Sequence, residues 1–142
     1  MTPLLLAIPF VLAAPVPKDF RKAVPKLDGT WRCAGIDIGG RAWTGDIRTT
    51  WTFDGERLSV VRSLGARDLT PTEVLIRTAA DRGPMAFDYT VVGSGRTILG
   101  AFAVEGDTLT LCLNNVLGPA ERPTTLDGGP GIAKYTLKRV ER

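Results

Sequence analysis

The stretch that most constrains the fold is residues 95–113, GRTILGAFAVEGDTLTLCL. Apolar residues alternate with other residues on both sides of the short polar segment Glu105-Gly106-Asp107. Alternation with a period of two indicates β-strands that each bury one face. The glycine accepts the positive φ that a tight turn requires. The stretch therefore predicts a β-hairpin.

Similar alternation along the rest of the chain predicts six further strands, at 27–38, 49–53, 56–62, 72–78, 85–92 and 132–140. Eight antiparallel strands with one buried face each close well into an up-and-down barrel, because closure removes both exposed edges. A barrel of this size is filled by side chains or holds one small ligand. Seven aromatic residues are predicted to face inward and to leave little or no cavity: Trp31, Trp51, Phe53, Phe87, Tyr89, Phe102 and Tyr135.

The N-terminal region predicts export. Residues 4–13 form an apolar run of the length found in secretory signals, too short to span a bilayer, with Val11 and Ala13 placed for cleavage. No Lys or Arg precedes the run, so an apolar N-terminal strand of a cytosolic protein is the alternative. We expect a signal peptide at 1–13 and an extracytoplasmic protein, periplasmic or secreted, without an integral membrane segment after processing. A Pro-rich basic arm at 14–26, with a short helix from Asp19 to Val24, then leads into a β-barrel domain at 27–142.

The residue types disfavour catalysis. The 142 residues include no His, which excludes Ser-His-Asp and Cys-His nucleophiles and His-ligated zinc. No inward pair of carboxylates is predicted, and Asp88 is expected to face solvent. We therefore predict no enzyme activity, no catalytic residues, no metal and no cofactor. The net charge of +3 arises from 18 basic and 15 acidic residues that are intermixed along the chain, which does not indicate nucleic-acid binding.

Two cysteines would be expected to pair in an exported protein. However, Cys33 shares the predicted face of Trp31 and Gly35, whereas Cys112 alternates with Leu111 and points to the other face. The last strand would also separate their two strands, beyond the reach of a disulfide. We predict two free thiols.

Several segments resemble a known family. Gly29-Thr30-Trp31 resembles the G-x-W signature of lipocalins, and Arg139 resembles the arginine that lies across that tryptophan. An ordered set of segments is similar to a largely uncharacterised family of small secreted lipocalin-like domains that is multiplied in planctomycete genomes: LDGTW at 27–31, FDG at 53–55, TILG at 97–100, GDTLTLC at 106–112, ERPT at 121–124 and LKRV at 137–140. The resemblance implies an exported lipocalin-like barrel with no established activity, in which Gly29, Trp31 and Arg139 are structural. The chain departs from the family in a longer first loop, which carries Trp43, and in a Gly-rich segment at 127–131.

Two functions remain open. The first is binding of a small apolar or amphipathic molecule at the barrel mouth, where Trp43 is expected to pack over the opening beside the 114–131 loop. The residues predicted to meet that molecule are Trp43, Phe87, Tyr89, Phe102 and Tyr135. The alternative is a filled barrel whose arm or loops engage an extracytoplasmic protein, as in barrel-shaped inhibitors of secreted proteases. An apolar cavity of about 300 Å³ or more would favour the first function. In either case we expect a monomer.

Overall fold

The computed structural model describes residues 24–43, 48–64, 66–81, 83–114 and 121–140. These residues form ten strands: β1 Gly29–Ile38, β2 Arg41–Ala42, β3 Arg48–Asp54, β4 Arg57–Leu64, β5 Arg67–Asp68, β6 Thr72–Ala79, β7 Met85–Val91, β8 Thr97–Glu105, β9 Thr108–Asn114 and β10 Ile132–Arg139. They contain no helix. The predicted signal peptide and nearly all of the predicted helix at 19–24 lie outside the described residues.

Eight long antiparallel strands form a closed barrel, as the alternation predicts. Strands β1, β3, β4, β6, β7, β8, β9 and β10 are neighbours in that order, and β10 pairs back onto β1 from Arg139↔Trp31 to Ala133↔Ile38. The two short strands each pair with the end of a long strand, β2 with β1 and β5 with β4. The predicted hairpin of 95–113 is β8 and β9, and Gly106 takes a φ of 60° in its turn.

A β-bulge in β1 corrects one prediction. Leu137 pairs with Cys33 and Thr136 pairs with Gly35, so β1 carries one extra residue at this point. An extra residue on one strand reverses the faces of the residues that follow. Gly35 is consequently exposed rather than inward, and Ile36 lies opposite the inward Tyr135.

The connections alternate between two ends of the barrel, because neighbouring strands run in opposite directions. We call the end that holds the 55–56 and 106–107 turns the lower end; β6 ends and β7 begins there. The upper end holds the β1–β2 turn at 39–40, residues 66–71, the β7–β8 turn at 92–96, the end of β9 and the start of β10.

Apolar side chains fill the lower half of the barrel. Trp31 is fully buried, its Nε1 donates a hydrogen bond to Leu27 O at 2.8 Å, and the Arg139 guanidinium lies 4.1 Å from the centre of its ring. Arg139 also donates to Asp28 O at 3.2 Å, beside Gly29, which has a φ of 119°. The fully buried residues around and above them are Leu58, Phe87, Phe102, Leu109, Leu111 and Leu137.

Residues 121–131, which we call the strap, lie on the outer wall. Arg122 Nη1 donates to Gly100 O at 2.9 Å, and Thr124 O lies 3.4 Å from where a Cβ on Gly83 would be. The strap reaches the outer side of β10 at Gly128, which lies against the Lys134 side chain. Most of the described part of the 114–131 loop therefore lies on the outer wall, and its end reaches the upper end of the barrel, where Gly129 Cα lies 3.8 Å from where a Cβ on Gly40 would be. Residues 115–120 of that loop are outside the described residues.

Small outward residues explain how the strap packs so closely. Ala86, Ala101 and Cys112 are paired neighbours in one row across β7, β8 and β9. Ala101 and Cys112 are almost fully buried although they face away from the barrel interior. Both cysteines are free, with Cys33 inward, Cys112 outward and β10 between their strands, as predicted.

Candidate functional site at the upper end of the barrel

Polar and aromatic side chains meet inside the upper half of the barrel. Thr49 and Trp51 alternate inward on β3, and Arg62 lies opposite Thr49 on β4, on the same face as the buried Leu58 and Val60. Two tyrosines, one from β7 and one from β10, complete the group. We call Thr49, Trp51, Arg62, Tyr89 and Tyr135 the mouth cluster.

Trp51 is the centre of the mouth cluster. Its ring centroid lies 5.2 Å from that of Tyr135 and 6.4 Å from that of Tyr89, and both tyrosines are half-buried. Phe53 and Phe87 lie at the next level, with ring centroids 6.3 Å from Trp51 and 6.5 Å from Tyr89 respectively. The upper interior is therefore an aromatic surface with polar groups at its edge.

Burial and one cation set the protonation of the two tyrosines. Burial raises the pKa of Tyr89 and of Tyr135, and the Arg62 guanidinium partly opposes that rise in both pKa values. Both hydroxyls are therefore neutral at physiological pH, and each can donate or accept a hydrogen bond. Arg62 is exposed and supplies a positive charge at the opening.

Two buried polar atoms in the mouth cluster have no hydrogen-bond partner among the described residues. Trp51 is 3% exposed, and no described residue supplies an acceptor for its Nε1–H. Thr49 is 6% exposed, and its Oγ1 is close enough to the Cys33 thiol to lower the pKa of that thiol, but no hydrogen bond of ordinary geometry joins them. An unpaired buried donor costs about 1–3 kcal/mol, so a bound acceptor at Trp51 would recover that free energy.

Cys33 lies beside this cluster but is not set up as a nucleophile. Burial raises the pKa of its thiol more than the neighbouring Thr49 and Gly35 lower it. The Sγ donates to Gly35 O at 3.4 Å. A thiol kept protonated is unreactive at neutral pH.

The structure separates the five residues predicted to meet a ligand. Tyr89 and Tyr135 are together in the mouth cluster. Phe87 and Phe102 are fully buried below it, in edge-to-face contact at 5.8 Å. Trp43 lies at the upper end, where its backbone N–H donates to Ile36 O at 2.7 Å, but its side chain is 50% exposed. It therefore does not have the burial that the prediction of a plug requires.

Sequence reasoning missed Thr49 and Arg62. The signal was available, because both positions continue the inward parity of Trp51 on β3 and of Leu58 on β4. A Thr and an Arg at inward positions near a strand end indicate a polar opening rather than core.

The outer wall carries a second group of charges, two of which form an ion pair. Two adjoining grooves of about 520 and 360 Å³ share Glu56, Ile76, Arg77 and Asp88 in their walls. Asp88 faces outward as predicted, but it is not simply solvated, since its Oδ1 lies 2.7 Å from Arg122 Nη2. This ion pair holds the strap against β7.

Neither region has the composition of a metal centre. Among the described residues, no three His, Cys, Asp or Glu side chains are grouped so that they could hold a metal ion. In that same part of the chain, no helix has the length and apolar character of a membrane span. Comparison of the chain with protein-family models and with curated proteins gives no match.

Proposed function

We propose that the protein is an exported, lipocalin-like binding protein whose mouth cluster holds a small amphipathic molecule. The proposed ligand has a flat apolar body and an anionic or strongly hydrogen-bond-accepting group. The observation that carries the proposal is Trp51 Nε1, a buried donor without an acceptor among the described residues, beneath an opening that Arg62 marks with positive charge. Buried polar groups are normally paired, so this one indicates a position that an acceptor occupies.

The surroundings of Trp51 support an amphipathic rather than a wholly apolar ligand. Its neighbouring rings, Tyr89 and Tyr135, offer stacking surface and neutral hydroxyls on the same side chains. Arg62 can bind a carboxylate or sulfonate through a charge-assisted pair of hydrogen bonds. Because apolar side chains fill the lower half of the barrel, the ligand would lie in the upper half and be correspondingly small.

Two further observations support the lipocalin-like and exported parts of the proposal. Arg139 lies across Trp31 at 4.1 Å, which is the arrangement that the resemblance to lipocalins implies. The apolar run at 4–13 has the length of a secretory signal. We propose that the processed protein works outside the cytoplasm as a monomer, by binding rather than by catalysis.

A titration with a matched pair of probes tests the mouth cluster. The probes are 1-anilinonaphthalene-8-sulfonate, which is flat and anionic, and the neutral N-phenyl-1-naphthylamine. Arg62→Gln should weaken the anionic probe by roughly 10-fold or more, since hydrogen bonds to charged groups contribute about 1.5–3 kcal/mol. The neutral probe should bind both proteins alike.

Arg57→Gln is the control for this experiment. Arg57 is also exposed and on β4, but it lies at the lower end of the barrel. Thermal melts of both variants establish that they are folded at the temperature of the titration. Binding that does not saturate, or equal losses in the two variants, would contradict the proposal.

A protein partner is the second candidate function, and the filled lower half of the barrel favours it. A barrel without interior space acts through its surface. If neither probe binds in the interior, this candidate takes the place of the first.

A further inference from the structure

Exposed apolar side chains gather at one end of the barrel. Ile38, Trp43, Leu69 and Val92 are between 39% and 56% exposed. Ile38 ends β1, Trp43 follows β2, Leu69 follows β5 and Val92 follows β7, and all four positions lie at the upper end. Scattered exposed apolar residues are ordinary, but several on one surface mark an interaction site. We call these four residues, with the arginines described next, the upper rim.

Arginines lie between these apolar residues. The exposed arginines of the upper end are Arg41, Arg48, Arg62, Arg67 and Arg96. The exposed acidic residues described there are Asp68, whose Oδ1 accepts a 2.6 Å hydrogen bond from Ser63, and Glu73. Two more, Glu121 and Asp127, lie on the strap beside this end.

Among the described residues, the lower end carries more carboxylates than cations. Its exposed cations are Lys26, Arg57 and Lys138. Its turns, its strand ends and the segment before β1 carry six exposed acidic residues: Asp28, Asp54, Glu56, Asp81, Glu105 and Asp107. The small net charge of +3 thus hides a partial separation of charge along the barrel axis, with arginines in excess at the upper end and carboxylates in excess at the lower end. A separation of this kind orients a protein in an external field, with the arginine end toward negative charge.

We propose that the upper rim docks the protein on an anionic lipid surface. Trp and aliphatic side chains are favoured at the boundary between headgroups and acyl chains. Each Arg near an anionic membrane contributes about 1 kcal/mol to binding. The proposal goes beyond ligand binding and does not depend on it, since it rests on residues outside the mouth cluster except Arg62. Docking in this orientation would turn the barrel mouth toward the membrane.

The pattern fits a lipid surface better than a protein partner. A protein interface has a contiguous apolar core from which charged residues are depleted. Here the apolar residues come from separate parts of the chain around an opening, and arginines are interspersed among them. A fluid, negatively charged surface can accommodate separate apolar side chains and cations together.

Vesicle flotation tests the proposal. The protein is used with the N-terminus that its host leaves on it. Every variant shares that terminus, so the segment before Val24 contributes equally throughout. Vesicles of phosphatidylcholine alone are compared with vesicles of phosphatidylcholine and phosphatidylglycerol. We expect tighter binding to the anionic vesicles, and weaker binding as salt concentration increases.

Two variants and two matched controls locate the contact. Arg41→Gln/Arg67→Gln should weaken partitioning into anionic vesicles about 25-fold, at roughly fivefold for each arginine. Trp43→Ala should weaken it about tenfold. Arg57→Gln and Leu75→Ala remove a lower-end arginine and an exposed leucine of the outer wall, and should change partitioning less than about twofold.

Tryptophan fluorescence gives an independent measurement of the same contact. The chain has three Trp. Trp31 and Trp51 are buried and Trp43 is 50% exposed, so the Trp43→Phe variant identifies the part of any emission change that comes from contact with the surface. A blue shift of emission with anionic vesicles, absent in Trp43→Phe, is the expected result. Equal partitioning into both kinds of vesicle, or equal losses in variants and controls, would overturn the proposal. Because Arg41 and Arg67 are outside the mouth cluster, their double variant should still bind the anionic probe, which separates failure of docking from failure of ligand binding.

Discussion

Replacing Gly100 by Ala should destabilise the barrel, although alanine is ordinarily the better residue in a strand. A Cβ on Gly100 would lie 2.6 Å from Leu113 Cδ2 and 2.7 Å from Cys112 O. Contacts this short require the neighbours to move, and the carbonyl belongs to a backbone that is paired with β8 on one side and β10 on the other. Overpacking of this kind costs about 1–3 kcal/mol. The lower entropy of the unfolded chain returns about 0.4–1 kcal/mol, so the net loss should be about 1–2 kcal/mol.

Gly35→Ala is the matched control, since it makes the same substitution in another strand. No atom lies within 4 Å of a Cβ on Gly35, and its φ is outside the left-handed region. Only the entropy term applies, so Gly35→Ala should be neutral or slightly stabilising. Urea denaturation followed by circular dichroism gives both free energies of unfolding, and the Tm of Gly100→Ala should fall by roughly 3–10 °C. If Gly100→Ala is as stable as Gly35→Ala, the close approach of β8 and β9 is not as described.

Four other predictions follow from the core, the thiols and the N-terminus. Trp31→Ala should lower the free energy of unfolding by about 3–5 kcal/mol; a melt within a degree or two of wild type would contradict its burial. Titration of unreduced, denatured protein should count two thiols, because Cys33 and Cys112 face opposite sides of the sheet; a count of zero in monomer would contradict that arrangement. Burial raises the pKa of both thiols above the 9.0 of an unperturbed cysteine. The folded state therefore holds its protons to higher pH, and stability should fall as pH increases above about 9; Cys112→Ala should make that fall less steep, as measured by urea denaturation at several pH values. N-terminal sequencing of protein from its native host should begin near Ala14, and a retained Met1 in a cytosolic fraction would exclude export.

The barrel could be predicted because its strands follow a simple local rule. Inward and outward residues alternate along each strand, and turn residues such as Gly55 and Gly106 separate the strands. Each strand carries its own signal, so eight signals with short connections indicate closure. The bulge in β1 could not be predicted in this way, because the single extra residue becomes visible only when Cys33 is aligned with Leu137 on β10.

The position of the strap could not be predicted from the sequence, for a related reason. A segment rich in Gly and Pro has no periodicity, and its position depends on a few side chains that are distant in sequence. Arg122 contacts Gly100 and Asp88 together, and this combination has no local pattern. Ala86 and Ala101 carry the only local signal for the strap, because small outward residues on adjacent strands indicate that another segment packs over them.

The mouth cluster contains an interaction that lowers the stability of the fold, and this supports a role in binding. The lower half of the barrel satisfies its buried donor, because Trp31 Nε1 donates to Leu27 O. The upper half leaves the corresponding donor of Trp51 without an acceptor among the described residues. Phe at position 51 would keep the aromatic contacts and avoid an unpaired donor that costs about 1–3 kcal/mol. If Trp51 serves packing alone, its unpaired donor makes the protein less stable than a phenylalanine would. If an acceptor binds at Trp51, that loss of stability is recovered.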